Sequence, residues 1–429
     1  MKYASPKGTF DILPTFCPHK EQWKALHRWQ FVEQKMRDLA CDYGYEEVRT
    51  PVFEQTDLFL REMGETSDIV SKEMYIFEDK GARSMTLRPE GTAPVMRAFV
   101  QNGLQQLGSF HKFFYIGPFF RYDRPQAGRF RQFHQFGIEA IGDKTPEQDF
   151  EVIDLLYELF RRLEIKGVTV LINTLGRPHC REAYKEALLA FLRPHFASLS
   201  SESQARFVKN PLRILDSKDP EERALLKEAP SILDFLDATS NTHFNTLCHL
   251  LTSAKIPFEI SPHLVRGLDY YNQTVFEMIS NDLGAQNTIG AGGRYDGLLQ
   301  RIGGVDLPSI GFSVGIERLL QTMDKQNAFF PEKQGPLVAL ILLGEKAKSC
   351  GYELLYTLRH AEISTILMRP KTLSKGLSQA NQAQARYSLI IGEKELDTHQ
   401  AQVKDLKTGK TYSLSLSTIV QFFKGKDAK

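Results

Sequence analysis

Between positions 121 and 131 the chain carries four arginines, Arg121, Arg124, Arg129 and Arg131, against the single acid Asp123. Guanidinium forks match phosphate oxygens two at a time, so this density suits a nucleotide or an RNA; an ordinary charged hairpin tip is the other reading. The segment that follows, FHQFGIEAIG, alternates. Successive side chains of a strand take opposite faces, so Gln135, Gly137 and Glu139 fall in one row: an amide, a gap and a carboxylate. A ligand could lie over Gly137, where no side chain intervenes, although a solvated strand face alternates in the same way. Tyr115, Gly117, Phe119 and Arg121 share a face on the preceding strand. TLRPEGTAPVMRAF puts Glu90, Gly91 and Thr92 just ahead of a helix. A carboxylate and a hydroxyl there could hold an ammonium group, or Thr92 could simply cap the helix. LVRGLDYYNQTVFE supplies Arg266, Asp269, Tyr270 and Tyr271; adjacent tyrosines on a strand would face opposite ways. GAGGRYDG has the glycine content of a phosphate loop or a plain turn, without the spacing of a dinucleotide site. IGFSVGIERL ends a strand with glycines and opens a helix bearing Arg318, where small residues let a flat group approach the backbone.

The elements that must position these residues are readable from periodicity. Residues 18–43 have helical spacing of apolar side chains and end near Gly44, a favoured helix stop. An extended stretch follows, YEEVRTPVFEQTDLF, and its Pro51 marks an edge or an interface, since proline cannot donate to a ladder. Residues 110–142 read as an antiparallel pair joined by a long loop, and 146–164 as a helix. The stretch 175–260 is mostly helical and interrupts two strand-rich blocks, so it reads as an insertion. Strand pattern resumes at 274–279. The polar segment DKQNAFFPEKQGP marks a boundary near 324–336. Beyond it LVALILLG, ISTILMRP and YSLIIG alternate with helical stretches, the pattern of a small α/β domain.

Composition excludes several classes. The chain has 429 residues, 42% hydrophobic and 25% charged, with a formal net charge of +2, the balance of a globular protein of two or three domains. Residues 331–429 hold 15 Lys and Arg against 9 Asp and Glu, a surplus of six that suits a polyanion met at one end. Five scattered cysteines form no C-x-x-C pair, so no metal site is expected and a reducing, cytoplasmic setting is. No run of 18 apolar residues predicts a membrane span. There is no G-x-x-x-x-G-K-[ST], no H-E-x-x-H and no G-x-S-x-G, which removes P-loop, zincin and hydrolase-elbow chemistry.

In order along the chain, YGYEEVRTPVFE, FRYDRPQAGRFRQFHQFGIEAIG and GFSVGIERLL resemble motifs 1, 2 and 3 of class II aminoacyl-tRNA synthetases. LVRGLDYYNQTVFE and GAGGRYDG resemble the two histidine signatures of histidyl-tRNA synthetases, and KGTFDILP, TLRPEGTA, PLRILDSKD and ARYSLIIGEKEL are similar to that family too. The resemblance covers nearly the whole chain. It implies an α+β catalytic domain at 1–325, an antiparallel sheet flanked by helices, with the helical insertion at 175–260 inside it and an α/β anticodon-binding domain at 336–429. It implies activation of L-histidine by ATP with Mg²⁺, transfer to tRNA(His), and a homodimer through motif 1, with no membrane association. It implies that Arg121 and Arg266 meet the α-phosphate and Arg318 the far phosphates. Glu90, Gly91 and Thr92 would take the α-amino group, and Gln135 and Glu139 would line the histidine pocket with Glu139 reading the imidazole. Tyr270 and Tyr271 would close around the ring, and Arg124 and Gln126 would meet the tRNA acceptor end. A pocket that satisfies both ring nitrogens leaves polar groups unpaired with other amino acids, so no editing domain is expected. A regulatory subunit of ATP phosphoribosyltransferase resembles the same catalytic part, but usually without a C-terminal domain or the full catalytic set.

Overall fold

The structure, a computed structural model, describes residues 3–14, 21–63, 69–123, 128–280 and 288–426. The chain divides into two compact units, residues 1–330 and 331–429.

The first unit is built on an eight-stranded sheet and a small three-stranded one. In chain order its sheets use β1 (Glu46–Glu47), β2 (Phe53–Gln55), β3 (Tyr75–Glu78), β4 (Ser84–Leu87), β5 (His111–Phe120), β6 (Gln132–Ile141), β7 (Val168–Thr174), β8 (Phe258–Ile260), β9 (Asn272–Ser280), β10 (Thr288–Arg294) and β11 (Ser309–Gly315). The large sheet runs β1-β5-β6-β11-β10-β9-β7-β8, and β2-β4-β3 form a small separate one. The expected antiparallel sheet is mixed: its inner pairings are antiparallel, but the edge pairings β1–β5 and β7–β8 are parallel. Both exceptions are short strands returning from excursions of the chain.

Side-chain parity divides the interior. Phe114, Phe136, Ile138, Ala140, Ile310, Phe312 and Val314 enter a core shared with the helices Leu26–Asp42, Pro146–Arg162 and Ile316–Lys325. Tyr115, Phe119 and Ile141 point the other way, into a core completed by Tyr184, Leu188 and Ile214 from the helical stretch between β7 and β8. A sheet buried on both faces keeps its register, because a slip of one residue would exchange the two sets.

Three expectations change in detail. The long N-terminal helix is a 3-10 turn, Gln22–Lys24, followed by Leu26–Asp42, and the chain leaves it through Gly44 at φ +77°. The stretch after it stops being extended at Gln55, where Thr56–Met63 turns helical. GAGGR is neither loop nor turn but the body of β10: a Cβ at Gly292 would lie 2.2 Å from the Gly311 carbonyl oxygen, so glycine there permits close approach of two backbones.

The second unit has a sheet of β12 (Val338–Leu342), β13 (Thr365–Met368), β14 (Tyr387–Ile391), β15 (Gln400–Asp405) and β16 (Thr411–Ser415), in the order β13-β12-β14-β15-β16. Its first three strands are parallel and the last two antiparallel. Along β12, Val338, Leu340 and Leu342 pack on one face and Ala339 and Ile341 on the other, as expected of a sheet covered on both sides.

Candidate active site

A cavity of about 390 Å³ opens over the face of β6, β10 and β11 that carries Gln135, Ala291 and Ser313. Its size is that of a small-molecule site. Glu90, Gly91, Thr92, Arg121, Gln135, Arg266, Tyr270, Tyr271 and Arg318 all line it. Residues up to 228 positions apart in sequence are thereby brought to one place. Arg124 and Gln126 lie outside the described residues.

Each cation is fixed by the element beneath it. Arg121, at the end of β5, donates through Nε to the Pro89 carbonyl (2.9 Å), and its guanidinium lies 5.3 Å from the centre of the Phe133 ring. Arg318, in the first turn of Ile316–Lys325, donates to the Thr288 carbonyl (2.7 Å). Arg266 is paired with Glu277 of β9, which also accepts from Thr288 Oγ1. Its Nε is buried and has no hydrogen-bond partner among the described residues, as is true of Gln135 Oε1. Burial holds the guanidinium groups of Arg121 and Arg318 below their ordinary range, the mark of a poorly solvated site in which charge interactions are strong.

Glu90 takes the capping role open to Thr92. Its carboxylate accepts the backbone N–H groups of Thr92 (2.7 Å) and Ala93 (2.9 Å), the first residues of the helix Thr92–Gln101. Tyr270 donates to the same carboxylate (3.4 Å). Burial raises the Glu90 carboxyl above its usual range against these donors. Thr92 Oγ1 is therefore released to donate to Glu139 (2.8 Å).

Glu139 shares a face with Gln135, as parity requires, but does not line the cavity. It is 1% exposed and sits behind the wall, accepting from Thr92, Tyr115 (3.4 Å) and Tyr295. The register pairs Glu139 with Gly311, whose missing side chain makes the room: a Cβ there would lie 2.2 Å from Glu139 Oε2. Burial pushes the Glu139 carboxyl up to about 8, with the hydroxyl donors pulling against it and nearby Glu90 adding to it.

The gap expected over Gly137 is filled. The Tyr115 ring lies across it, so a Cβ on Gly137 would fall 2.3 Å from Tyr115 Cζ, and one on Gly91 2.2 Å from the same atom. The two glycines clamp a tyrosine, and the cavity begins beside that ring. Tyr270 and Tyr271 differ from expectation as well. They precede β9 in a turn, where strand alternation does not apply, and both rings face the cavity with centres 4.7 Å apart.

Several lining residues were not foreseen: Glu73, Arg213, Asp216, Thr288 and Glu317. Glu317 follows the motif 3 glycines and accepts from the His134 backbone N–H (2.9 Å), tying that helix to β6. Behind the wall Arg88 binds the carbonyls of Thr50 and Pro118 (3.0 and 2.9 Å) and would collide with any Cβ at Gly117. TLRPEGT thus braces motif 1 against motif 2. Among the described residues one His/Cys/Asp group, His179, Cys180 and Asp237, gathers its donor atoms within 4.8 Å of one another. None of the three lines the cavity, and Asp237 caps the helix Ala238–Ser253 through Ser240 N (2.6 Å).

Three cations in one cavity with an amide, a carboxylate and two tyrosines suit an anionic nucleotide beside a small polar amino acid. Comparison with known proteins agrees. The family described as histidyl-tRNA synthetase matches residues 23–319, and an anticodon binding domain matches 337–426. The histidine–tRNA ligase of Protochlamydia amoebophila is 52% identical over 425 residues, 99% of this chain and all of the relative. That of Bacillus subtilis is 45% identical over 428 residues, 99% of each chain. The apo S. aureus histidyl-tRNA synthetase structure superposes with a TM-score of 0.82 at 34% identity, covering 98% of this chain and 100% of that one. The chain belongs to the histidyl-tRNA synthetase family, with that family's catalytic domain and an anticodon-binding domain.

Proposed function

We propose that the chain activates L-histidine with ATP, forming histidyl-adenylate and pyrophosphate, and then transfers histidine to the 3′ end of tRNA(His). The observation that carries this reading is the convergence of Arg121, Arg266 and Arg318 on the cavity that Glu90, Gln135, Tyr270 and Tyr271 also line. In the first step the histidine carboxylate attacks the α-phosphorus in line, the bond to the bridging oxygen breaks, and pyrophosphate leaves. Such transfer needs orientation and charge stabilisation more than covalent help. Arg121 and Arg266 would flank the phosphorus and Arg318 the leaving phosphates.

Glu90 and Thr92 would receive the α-amino group. Gln135 and the tyrosines would face the imidazole, and Glu139 would act through the hydroxyls it orients. Mg²⁺ bound with the triphosphate would share neutralisation of its charge. The wall carboxylates Glu73, Asp216 and Glu317 are the hard oxygen donors that this ion takes. Arg124 and Gln126 would meet the acceptor end of the tRNA, and the basic second unit its anticodon end.

We read the protein as a cytoplasmic homodimer. The cysteines Cys41, Cys180, Cys248 and Cys350 are free thiols. No helix among the described residues is long and apolar enough to cross a membrane. Beside Pro51, Phe53 and Phe77 share one face of the small sheet, their ring centres 6.2 Å apart, and are 48% and 42% exposed, the kind of patch that a second subunit covers.

ATP–pyrophosphate exchange with each of the twenty amino acids, without tRNA, tests the assignment. Exchange with histidine alone is expected. A folded protein that exchanges with none would point to the regulatory-subunit reading, whose fold this chain shares at 20% identity and a TM-score of 0.63.

A further inference from the structure

The segment from Ser261 to Tyr271, between β8 and β9, has no regular secondary structure, yet it carries Arg266, Tyr270 and Tyr271 into the cavity. Backbone polar groups in such a segment need partners from elsewhere. Its first part is held by the sheet: Asn173 Nδ2 of β7 donates to the carbonyls of Pro262 and Leu264 (3.0 Å each). Beyond Leu264 the side chains of Arg266 and Tyr270 reach Glu277 and Glu90, and further tethers come from the helical stretch between β7 and β8. Arg213 Nη2 donates to the Gly267 carbonyl (2.7 Å) and to Asp269 Oδ1 (3.0 Å), its Nε also reaches Asp269 (3.3 Å), and Asn210 Nδ2 donates to the same oxygen (3.0 Å). Arg181 Nη1 donates to the Tyr271 carbonyl (3.3 Å).

We propose that Arg213, with Asn210 beside it, is a positioning residue for histidine activation: it latches the segment that presents Arg266 and the two tyrosines. The proposal rests on the activity proposed above. Arg213 is buried, on the 3-10 turn Pro211–Asp216, and that turn is anchored by Ile214 in the same core as Tyr270 and Tyr271. Its guanidinium joins a backbone carbonyl and a side-chain carboxylate two residues apart, a fork that a lysine ammonium cannot reproduce. Loss of Arg213 removes the Gly267 tether and two of the donors to the half-buried Asp269, so the segment would shift. Arg121, Arg318 and β10 are held by other contacts and would stay. Arg213 therefore acts on the segment that carries Arg266, Tyr270 and Tyr271, and not on Arg121 or Arg318.

The test uses the full chain and its ATP–pyrophosphate exchange. Wild-type exchange with histidine checks the activity reading. For Arg213→Ala, kcat/KM for histidine is expected to fall on the order of 10- to 100-fold, mainly through KM, because misplacement at a site is costly. The KM for ATP should rise less than that for histidine, because Arg121 and Arg318 keep their own anchors while Arg266 moves with the segment. Arg213→Lys should not recover the loss, and Asn210→Ala should show a smaller loss in the same direction. Hydrogen exchange reads the latch without activity: amides of residues 264–271 should exchange faster in Arg213→Ala than in wild type. Equal losses for histidine and ATP, recovery by lysine, or unchanged exchange over 264–271 would each overturn the proposal. If Arg213→Ala does not fold, Asp269→Asn and Asn210→Ala carry the same measurements.

Discussion

The cavity has a floor and a wall of different make. The floor is β6, β10 and β11, where each side chain's direction follows from strand parity and each gap from a glycine in register with a neighbour. The wall is the irregular segment 261–271 and the 3-10 turn Pro211–Asp216, joined by side-chain forks. A Cβ at Gly311 in the floor would strike the Ile138 carbonyl at 2.2 Å, whereas one at Gly267 in the wall would meet nothing within 4 Å. The floor is determined by backbone packing with no slack. The wall is determined by a few polar contacts and has room to adjust. Substitutions should therefore act on stability in the floor and on substrate affinity in the wall.

The largest effect is expected at the one place where chemistry and scaffold separate most cleanly. Arg121→Ala should lower the rate of adenylate formation on the order of 10²- to 10³-fold, the usual consequence of removing a preorganised charge. It should leave Tm unchanged or raise it, since a buried cation opposes folding. Single-turnover kinetics beside a thermal melt decide it; a collapse of Tm along with activity would make Arg121 part of the scaffold.

Next in size is a paired glycine test. Gly311→Ala should cost about 1–3 kcal/mol of stability, as overpacking against backbone does. Gly267→Ala should stay within about 0.5 kcal/mol of wild type. Denaturant midpoints of the two variants give the answer, and equal costs would erase the distinction between floor and wall.

Much of the floor was readable in advance because strand geometry transmits residue order directly into direction. Gln135, Gly137 and Glu139 do share a face, and Arg121 and Arg318 do reach one cavity. Parity gives direction but not depth. It could not say that Tyr115 would fill the space over Gly137, which depends on where β5 and β6 pair. Nor could it show that Glu139 would be buried beneath the floor, which depends on Gly311 of a third strand. Strand alternation failed at the tyrosine pair because the two residues lie in a turn, although both rings do line the cavity, as the resemblance implied. The wall was scarcely legible: Arg213 lies 56 residues from Asp269, and no local period links a helical insertion to the segment that it holds. PLRILDSKD stood out by resemblance, yet its arginine's partner is a fact of tertiary structure.

Glu139 offers a smaller but sharper test of depth. Its folded carboxyl titrates near 8, above the unfolded value near 4.5. The folded state thus holds a proton that the unfolded state releases, and stability associated with this group is complete below about pH 4.5 and is lost as pH rises toward 8. Glu139→Gln removes that dependence. The stability of wild type relative to the variant should fall between pH 5 and pH 8, and a flat difference would mean that Glu139 is ionised throughout. The same variant should raise the histidine KM more than the ATP KM, because an amide keeps one acceptor oxygen where the carboxyl group has two, and the hydroxyls of Thr92, Tyr115 and Tyr295 can no longer all be accepted.

The mildest prediction contrasts the two units instead of two parts of one cavity. Activation needs the first unit and small substrates. Charging also needs a polyanion, and residues 331–429 carry the chain's surplus of basic residues. On that unit the helix Glu345–His360 exposes Tyr352 and Tyr356, with His360 stacked on Tyr356 at 3.8 Å and Arg369 donating to the Tyr352 hydroxyl (3.1 Å). Aromatic rings beside cations suit unpaired bases and their phosphates. Each phosphate contact adds roughly 0.7–0.9 to the slope of log affinity against log salt. Raising salt from 50 to 200 mM, about a fourfold change over which phosphate-contact affinities fall steeply, should therefore raise the KM for tRNA severalfold while histidine-dependent pyrophosphate exchange changes little. Parallel changes in both reactions would place the salt sensitivity in the cavity's own arginines and remove the reason to assign the polyanion to the second unit.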